Sequence, residues 1–508
     1  MKKFRTDDKI YFYLFCGIWL LLICWRLYIL ITYGYRYVDD DQAIMWYGTV
    51  HFAHGHFPEP CFFGQDYNSM LESLLAVPLY LCGWPLNYAL PTVTTILCIA
   101  PFAFCSIDRF YKKNKIAAFS VLALFALTAW QWDLLTSIPR AFISGFPWAV
   151  IGSVLMCDPE SGNKKKVIGS FLCCLGVVMT VSAAALLGVA FLYFLLCNGK
   201  KWKNYMAIIC GMIPAGGLYA YQKWFYMIHA GDIITKSNLE PFNMDAFILS
   251  LQNLPELFWD TFGLGKMAVF IMASAVVVMC IYFGKKREWR KLILTLVSAT
   301  GCLFALSFGW MEVYEDECIL FGKSRMVIFW VFLILELIMI FSFENKERDN
   351  EKKTIMIIIA FSFVCLGIKV YLYTGEINDA NSTIYKNGVI RMMSVDNLKQ
   401  QAEIITDLAE SIQADVLITS AYSRVMAYGA SALNYDKPMI YYVPDRDRRV
   451  WVYNELRLKT RNRILMYSMP VDENVELSVI DTGEKSVIEY FKEQYGITRG
   501  GEYGWGMR

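Results

Sequence analysis

Residues 10–43 read IYFYLFCGIWLLLICWRLYILITYGYRYVDDDQA. The first part of this stretch, 10–31, is one apolar run interrupted by a single charge, Arg26. A helix needs about 20 such residues to cross the hydrocarbon core of a bilayer. The run follows Met1-Lys2-Lys3, is too long for a signal-peptide core and lacks a small-residue cleavage site, so it reads as a retained anchor. It stops abruptly at Tyr37-Val38-Asp39-Asp40-Asp41-Gln42-Ala43, where three carboxylates stand side by side at the edge of the membrane.

The rest of the chain repeats the first half of that pattern. Of its 508 residues 56% are hydrophobic, 16% aromatic and only 19% charged, which is too apolar for a soluble domain of this size. The formal net charge of +2 gives no field for nucleic acid, and none is expected as a partner. Further apolar runs lie at 87–107, 116–130, 141–157, 167–181, 183–197, 205–228, 267–283, 292–310, 326–343 and 354–373, which makes about eleven transmembrane helices. Basic clusters at 2–5, 109–115, 164–166, 200–203, 285–291 and 346–353 alternate with segments poor in Lys and Arg. Placing every cluster in the cytoplasm satisfies the positive-inside rule for all the runs. It also forces 167–197 to cross twice, turning near Thr180-Val181-Ser182, and leaves 70–83 as an interfacial or re-entrant helix.

The N-terminus is then cytoplasmic. The outer face receives the first loop 32–87, the short loop 131–140, the loops 229–266 and 311–325, and the tail 374–508. The tail alternates a helical pattern at 395–413 with the strand-like runs DVLITS at 415–420 and MIYYV at 439–443. The expected organisation is an all-α polytopic membrane bundle over 1–373 and a small extracytoplasmic α/β domain over 374–508. There are 15 cysteines, none beyond Cys365, and most sit in apolar runs where a thiol behaves as a small hydrophobe. A disulfide between Cys61 and Cys318 is open if both face outward.

The chemistry is sought on the outer face. Adjacent carboxylates repel each other and raise at least one pKa, so Asp39, Asp40 and Asp41 could supply a base for a sugar hydroxyl. Composition alone favours a plainer role, an acidic cap on the helix that follows. His51, His54 and His56 are spaced as HxxHxH, but no Cys or carboxylate completes a familiar zinc set, so a polar, aromatic-rich loop is the simpler account. Gln65, Asp66 and Tyr67 suit either a loop turn or hydrogen bonds to sugar hydroxyls, and Glu72 either caps the interfacial helix or orients a neighbour. Arg26, Glu336 and Lys369 fall inside apolar runs, where a charge is costly unless it pairs or reaches an interface. Arg26 and Lys369 are expected to reach the outer interface, and Glu336 to face the bundle. The run 445–449 (DRDRR) reads as a solvated surface.

Taken together, Asp41-Gln42-Ala43, Gly64-Gln65-Asp66-Tyr67, Leu71-Glu72-Ser73-Leu74 and Pro78-Leu79 resemble the first outer loop of GT-C superfamily glycosyltransferases. The bacterial branch similar to dolichyl-phosphate-mannose-protein mannosyltransferases is the nearest in pattern. In that family an Asp-Glu-Ala follows the first span, and its catalytic Asp falls on Asp41; Gln42 departs from the family's Glu, which leaves Asp39 and Asp40 as stand-ins for a second ionised group. Pro139-Arg140-Ala141, at the start of the fourth run, and Gly322-Lys323-Ser324-Arg325-Met326 resemble two further family segments, with Met326 in place of a Tyr.

The resemblance implies a GT-C-like bundle that transfers a sugar, with inversion, from an undecaprenyl- or dolichyl-phosphate donor. It makes Asp41 the general base, assigns the donor phosphate to Arg140, Lys323 and Arg325, and assigns sugar or acceptor contacts to Gln42, Gln65, Asp66, Tyr67 and Glu72. The partners it implies are membrane lipid and an outer glycan, lipid or protein acceptor at the plasma membrane. No cofactor is required by it, and a divalent metal is left open. Two other readings use the same lipid substrate: a transporter or flippase of a lipid-linked sugar, against which the lack of internal repeats weighs, and a polysaccharide polymerase or ligase.

Overall fold

A backbone removed from water must satisfy its own N–H and C=O groups, so long apolar runs fold as helices. The computed structural model describes residues 6–63, 67–198, 201–228, 244–263, 265–306, 327–343, 351–383, 393–411, 413, 416–419, 424–434, 440–442, 463–468 and 476–481. Each of the expected runs carries a helix. The first is α1 (Thr6–Ile29), which continues through a π-helical turn, Leu30–Gly34. Beyond it come the short strand β1 (Tyr37–Val38), α2 (Asp40–Ala53), α3 (Leu71–Leu81), α4 (Leu86–Tyr111), α5 (Lys115–Leu127) and α6 (Trp130–Leu135). The chain continues as α7 (Phe146–Cys157), α8 (Asn163–Met179), α9 (Ala184–Asn198) and α10 (Trp202–Ile228). Next are α11 (Met244–Gln252), α12 (Leu254–Phe262), α13 (Gly265–Lys286), α14 (Trp289–Ala305), α15 (Phe329–Ser342) and α16 (Glu351–Thr383). Among the described residues, four segments are long and apolar enough to cross a membrane: Lys9–Gly34, Leu86–Tyr111, Lys266–Lys286 and Lys352–Tyr371. With 11 residues, α3 is too short to cross, as expected of an interfacial helix.

The two ends of the bundle are chemically distinct. At one end, Lys112 Nζ meets Asp158 Oδ2 at 2.8 Å, the Arg109 guanidinium lies 4.6 Å from the Phe343 ring centre, and Asn114 donates to the Ser342 carbonyl at 3.1 Å. Lys166 reaches Asn204 Oδ1 at 3.1 Å at the same end. The basic clusters at 109–115 and 164–166 therefore gather where the charge rule groups them. At the other end the turn between α8 and α9 closes through a short 3₁₀ segment, Val181–Ala183, and Ser69 of the first loop donates its N–H to the Met179 carbonyl at 3.0 Å.

Helices α7 and α8 approach at paired glycines seven residues apart. A Cβ placed on Gly152 would lie 2.6 Å from the Gly169 carbonyl oxygen, and Gly145 is packed against Gly176 in the same way. Small residues let backbones close without a hydrophobic driving force, as membrane helix pairs require.

Two expectations fail together. Residues 131–140 were expected as a short loop without a helix, and Arg26 and Lys369 as reaching the outer interface. Instead, α6 is buried throughout, and Arg26 and Lys369 are only 1% and 2% exposed. Both cations turn inward because Asp133 of α6 is there to meet them: Arg26 Nη1 lies 3.1 Å from Asp133 Oδ1 and Lys369 Nζ 2.8 Å from Oδ2. Trp25 Nε1 donates to Oδ2 at 2.7 Å, Thr128 Oγ1 to Oδ1 at 2.8 Å, and Arg26 Nη2 to Thr136 Oγ1 at 2.8 Å. Glu336 faces the bundle as expected, fully buried on α15.

The segment expected as the loop 229–266 contains α11 and α12, and α12 is tied to the core by Ala129 N–H donating to the Thr261 carbonyl at 2.8 Å. In the tail, β2 (Met393–Ser394) pairs antiparallel with β1, with Tyr37 opposite Ser394 and Val38 opposite Met393. It is followed by α17 (Val395–Ser411), β3 (Val416–Thr419), α18 (Arg424–Leu433), β4 (Ile440–Tyr442), β5 (Arg463–Ser468) and β6 (Glu476–Asp481). The larger sheet has strand order β4-β3-β5-β6, with β3 parallel to both neighbours and β5–β6 antiparallel. Helix α18 packs on α2, where the Tyr47 and Tyr428 rings lie 6.1 Å apart. Cys318 and 445–449 lie outside the described residues.

The Asp133 cluster makes a direct prediction. Asp133→Asn leaves two buried cations facing no carboxylate and should destabilise the protein by about 3–5 kcal/mol. Adding Lys369→Met should recover part of that loss, measured as thermal unfolding in detergent; additive losses would show that the three groups do not act as one unit.

Candidate functional site

The acidic triplet opens α2, and its three carboxylates have three different surroundings. Asp39 is in extended conformation (φ −110°, ψ −176°) and caps the helix: its Oδ1 accepts the Gln42 N–H at 2.9 Å and its Oδ2 the Gln42 side-chain amide at 3.2 Å. The Asp40 carboxylate accepts the Asp41 N–H at 3.0 Å. Asp39 is wholly buried, whereas the Asp41 side chain keeps 32% of its surface exposed. Asp41 is therefore the member of the triplet with a carboxylate open to an incoming molecule and a fixed partner behind it.

That partner is Arg140. Its Nη2 lies 2.7 Å from Asp41 Oδ2 and its Nε 3.4 Å from Asp39 Oδ2, with the guanidinium 5.2 Å from the centre of the Phe142 ring. The arginine was expected to begin a helix, but α7 starts only at Phe146. Pro139 cannot donate to a helical ladder, and Ala141 has φ +61°, a left-handed conformation that breaks the helix before it can begin. The chain at 136–145 is thus a buried, irregular segment that delivers one guanidinium to the head of α2.

Thr180 and Glu72 hold this segment. The Thr180 hydroxyl accepts the Gly145 N–H at 3.0 Å and donates to the Ala141 carbonyl at 3.3 Å. Glu72, with no exposed surface, accepts the Ser144 hydroxyl at 2.8 Å and the Thr94 hydroxyl at 3.1 Å. Next to it, the Ser73 hydroxyl donates to the Met45 carbonyl at 2.9 Å, and the Thr49 hydroxyl to the Ser73 carbonyl at 3.2 Å, which ties α3 to α2.

Burial sets the protonation of this region. Loss of water pushes Asp39 up to about 6, a rise that Asp40 and Asp41 reinforce and that Arg140 and the Gln42 N–H oppose. Burial likewise lifts Glu72 to about 7, opposed by the Ser144 and Thr94 hydroxyls and the nearby backbone of Ala141 and Arg140. His51, beside Tyr47 at 4.2 Å between ring centres, is pushed down to about 3 by burial and by His56 and His54, so its imidazole is neutral at neutral pH. Among the described residues no three His, Cys, Asp or Glu side chains gather as metal ligands.

Of the residues singled out in the sequence, Asp39, Asp40, Asp41, Gln42, Glu72 and Arg140 come together. Gln42 is buried and turned to Asp39, and Tyr67 is half-buried in the first loop. Gln65, Asp66, Lys323 and Arg325 lie outside the described residues. Thr94, Ser144 and Thr180 carry no motif; only the structure brings them to the site.

No known protein-family model matches this chain, and no curated protein matches it. Among solved structures it is similar to ArnT from Cupriavidus metallidurans bound to undecaprenyl phosphate, at 10% identity and a TM-score of 0.38 over 89% of this chain and 93% of that one.

The two buried carboxyls make a titration that can be read separately. Both sit above their ordinary values of 3.8 and 4.5, so protonation favours the folded state. Their stabilising contribution is complete below those ordinary values and is lost as pH rises through about 6 and about 7. Infrared titration should show two carboxyl steps near these values. Asp39→Asn should remove the lower and Glu72→Gln the upper; a step that survives its own substitution would refute the assignment.

Proposed function

We propose that the protein is an integral membrane glycosyltransferase of GT-C type. It moves a sugar from a polyprenyl-phosphate donor to a glycan, lipid or protein acceptor on the outer side of the membrane. The observation that carries this reading is the contact between Asp41 and Arg140: a partly exposed carboxylate backed by a buried guanidinium, at the position where the first loop resembles the family.

In the proposed reaction the acceptor hydroxyl gives its proton to Asp41 as its oxygen bonds to the anomeric carbon. The bond from that carbon to the phosphate oxygen breaks on the opposite face, with inversion, and its electron pair leaves on the polyprenyl phosphate. Arg140 stabilises the phosphate as its charge grows, since a charge-assisted pair in a dry site is stronger than in water. Lys323 and Arg325 join it by resemblance. Arg140 lies between Asp39 and Asp41. An arriving phosphate therefore competes with Asp41 for the guanidinium, and the base loosens from its partner only once the donor is in place.

The basic end of the bundle faces the cytoplasm in this reading, and the tail 374–508 forms an α/β domain on the same outer side as the site.

Purified protein in lipid, given a panel of polyprenyl-phosphate sugars, should cleave one of them. Asp41→Asn keeps the size but cannot take the proton, and should lower turnover by about 10²–10⁴-fold while donor binding is retained. If both proteins instead bind donor and move it between leaflets uncleaved, the chain is a flippase and Asp41 is not a base.

A further inference from the structure

The resemblance assigns Glu72 to the sugar or the acceptor, but its surroundings point to another task. Glu72 accepts the hydroxyls of Ser144 at 2.8 Å and Thr94 at 3.1 Å, and the nearby backbone amides of Arg140 and Ala141 favour its ionised form. It has no exposed surface, so no sugar hydroxyl meets it. Ser144 belongs to the segment that carries Arg140.

That segment needs support. A non-glycine residue in the left-handed region is strained and persists only where its surroundings over-determine it. Ala141 is such a residue, with φ +61°. Its carbonyl accepts from Thr180, and Ser144 of the same segment donates to Glu72. The neighbouring residue of the same helical turn, Ser73, is bonded to α2 at Met45 and Thr49. One turn of α3 thus grips the helix that carries Asp41 and the segment that carries Arg140.

We propose that Glu72 is a positioning residue: on α3 it fixes the Arg140–Ala141 turn, and so sets the Arg140 guanidinium against Asp41 without touching substrate. This rests on the reading that Arg140 holds the donor phosphate, and it deepens that reading.

The test is a double-mutant cycle on the full chain in lipid nanodiscs, with binding of undecaprenyl phosphate as the readout. Glu72→Gln should weaken binding about tenfold and Arg140→Ala at least as much, and the double variant should bind no more weakly than Arg140→Ala alone. Ser144→Ala, which removes one of the same bonds and is milder, should shift binding in the same direction and stands in if Glu72→Gln does not fold. In turnover, Glu72→Gln should raise the donor KM and leave the acceptor KM unchanged. Additive losses, or a raised acceptor KM, would overturn the proposal, because Glu72 would then act on the ligand itself. If Arg140→Ala leaves binding intact, the phosphate assignment falls, and the same cycle read as thermal stability decides the positioning role: non-additive losses sustain it and additive ones refute it.

Discussion

The carboxylate of Asp133 is the constraint on which the bundle and its site both depend. A buried charge without a partner is costly, and two cations from helices far apart in sequence are buried beside Asp133. They are tolerated because one carboxylate receives both, with Trp25 and Thr128 completing its hydrogen bonds. The result locks α1, α6 and α16 in one register. It also fixes where the chain goes next: the Asp133 carbonyl accepts Arg26 Nη1 at 2.6 Å and the Ser137 hydroxyl at 2.7 Å, and the segment so anchored runs straight to Arg140.

The site itself is assembled from three short segments: the head of α2, the first turn of α3 and the irregular chain at 136–145. Four carboxylates lie within it, and environment divides their work. Asp39 is consumed as a cap, Asp40 bonds the adjacent backbone, Glu72 is buried against Ser144 and Thr94, and Asp41 keeps a part-exposed carboxylate beside Arg140. Electrostatics in such a place is directional rather than a matter of net charge, since each pair is fixed by hydrogen bonds before any ligand arrives.

Much of the helical frame was legible in the sequence because it rests on local information. Apolar runs gave helices, the basic clusters at 109–115 and 164–166 marked one end of the bundle, and the turn near 180–182 followed from two clusters that had to lie on one side. What could not be read has a common cause. Arg26 meets Asp133 across 107 residues and Glu72 meets Ser144 across 72, separations at which periodicity carries no signal. Arg26 and Lys369, judged by their own runs, looked free to reach the interface, and nothing local told that Asp133 was waiting between them. The break at Arg140–Ala141 was hidden for a related reason: Pro139 announces a boundary, but a positive φ at alanine is imposed by partners elsewhere. In the acidic triplet the helix-cap reading describes Asp39, while Asp41 is left with a different environment two residues on.

The pairing of β1 with β2 bears on how such a protein is made. The strand that leads into Asp39 has its partner more than 350 residues later, at Met393–Ser394, and Val395 donates its N–H to the Arg36 carbonyl at 2.8 Å. During synthesis, every helix through α16 precedes the segment that completes this edge. A contact of such long range is among the last a chain can form, because its loop-closure cost falls due before anything repays it. The acid at the head of α2 therefore acquires its full backbone support only when the tail has emerged and docked, which makes the integrity of the distant end of the chain a condition for the order of its beginning.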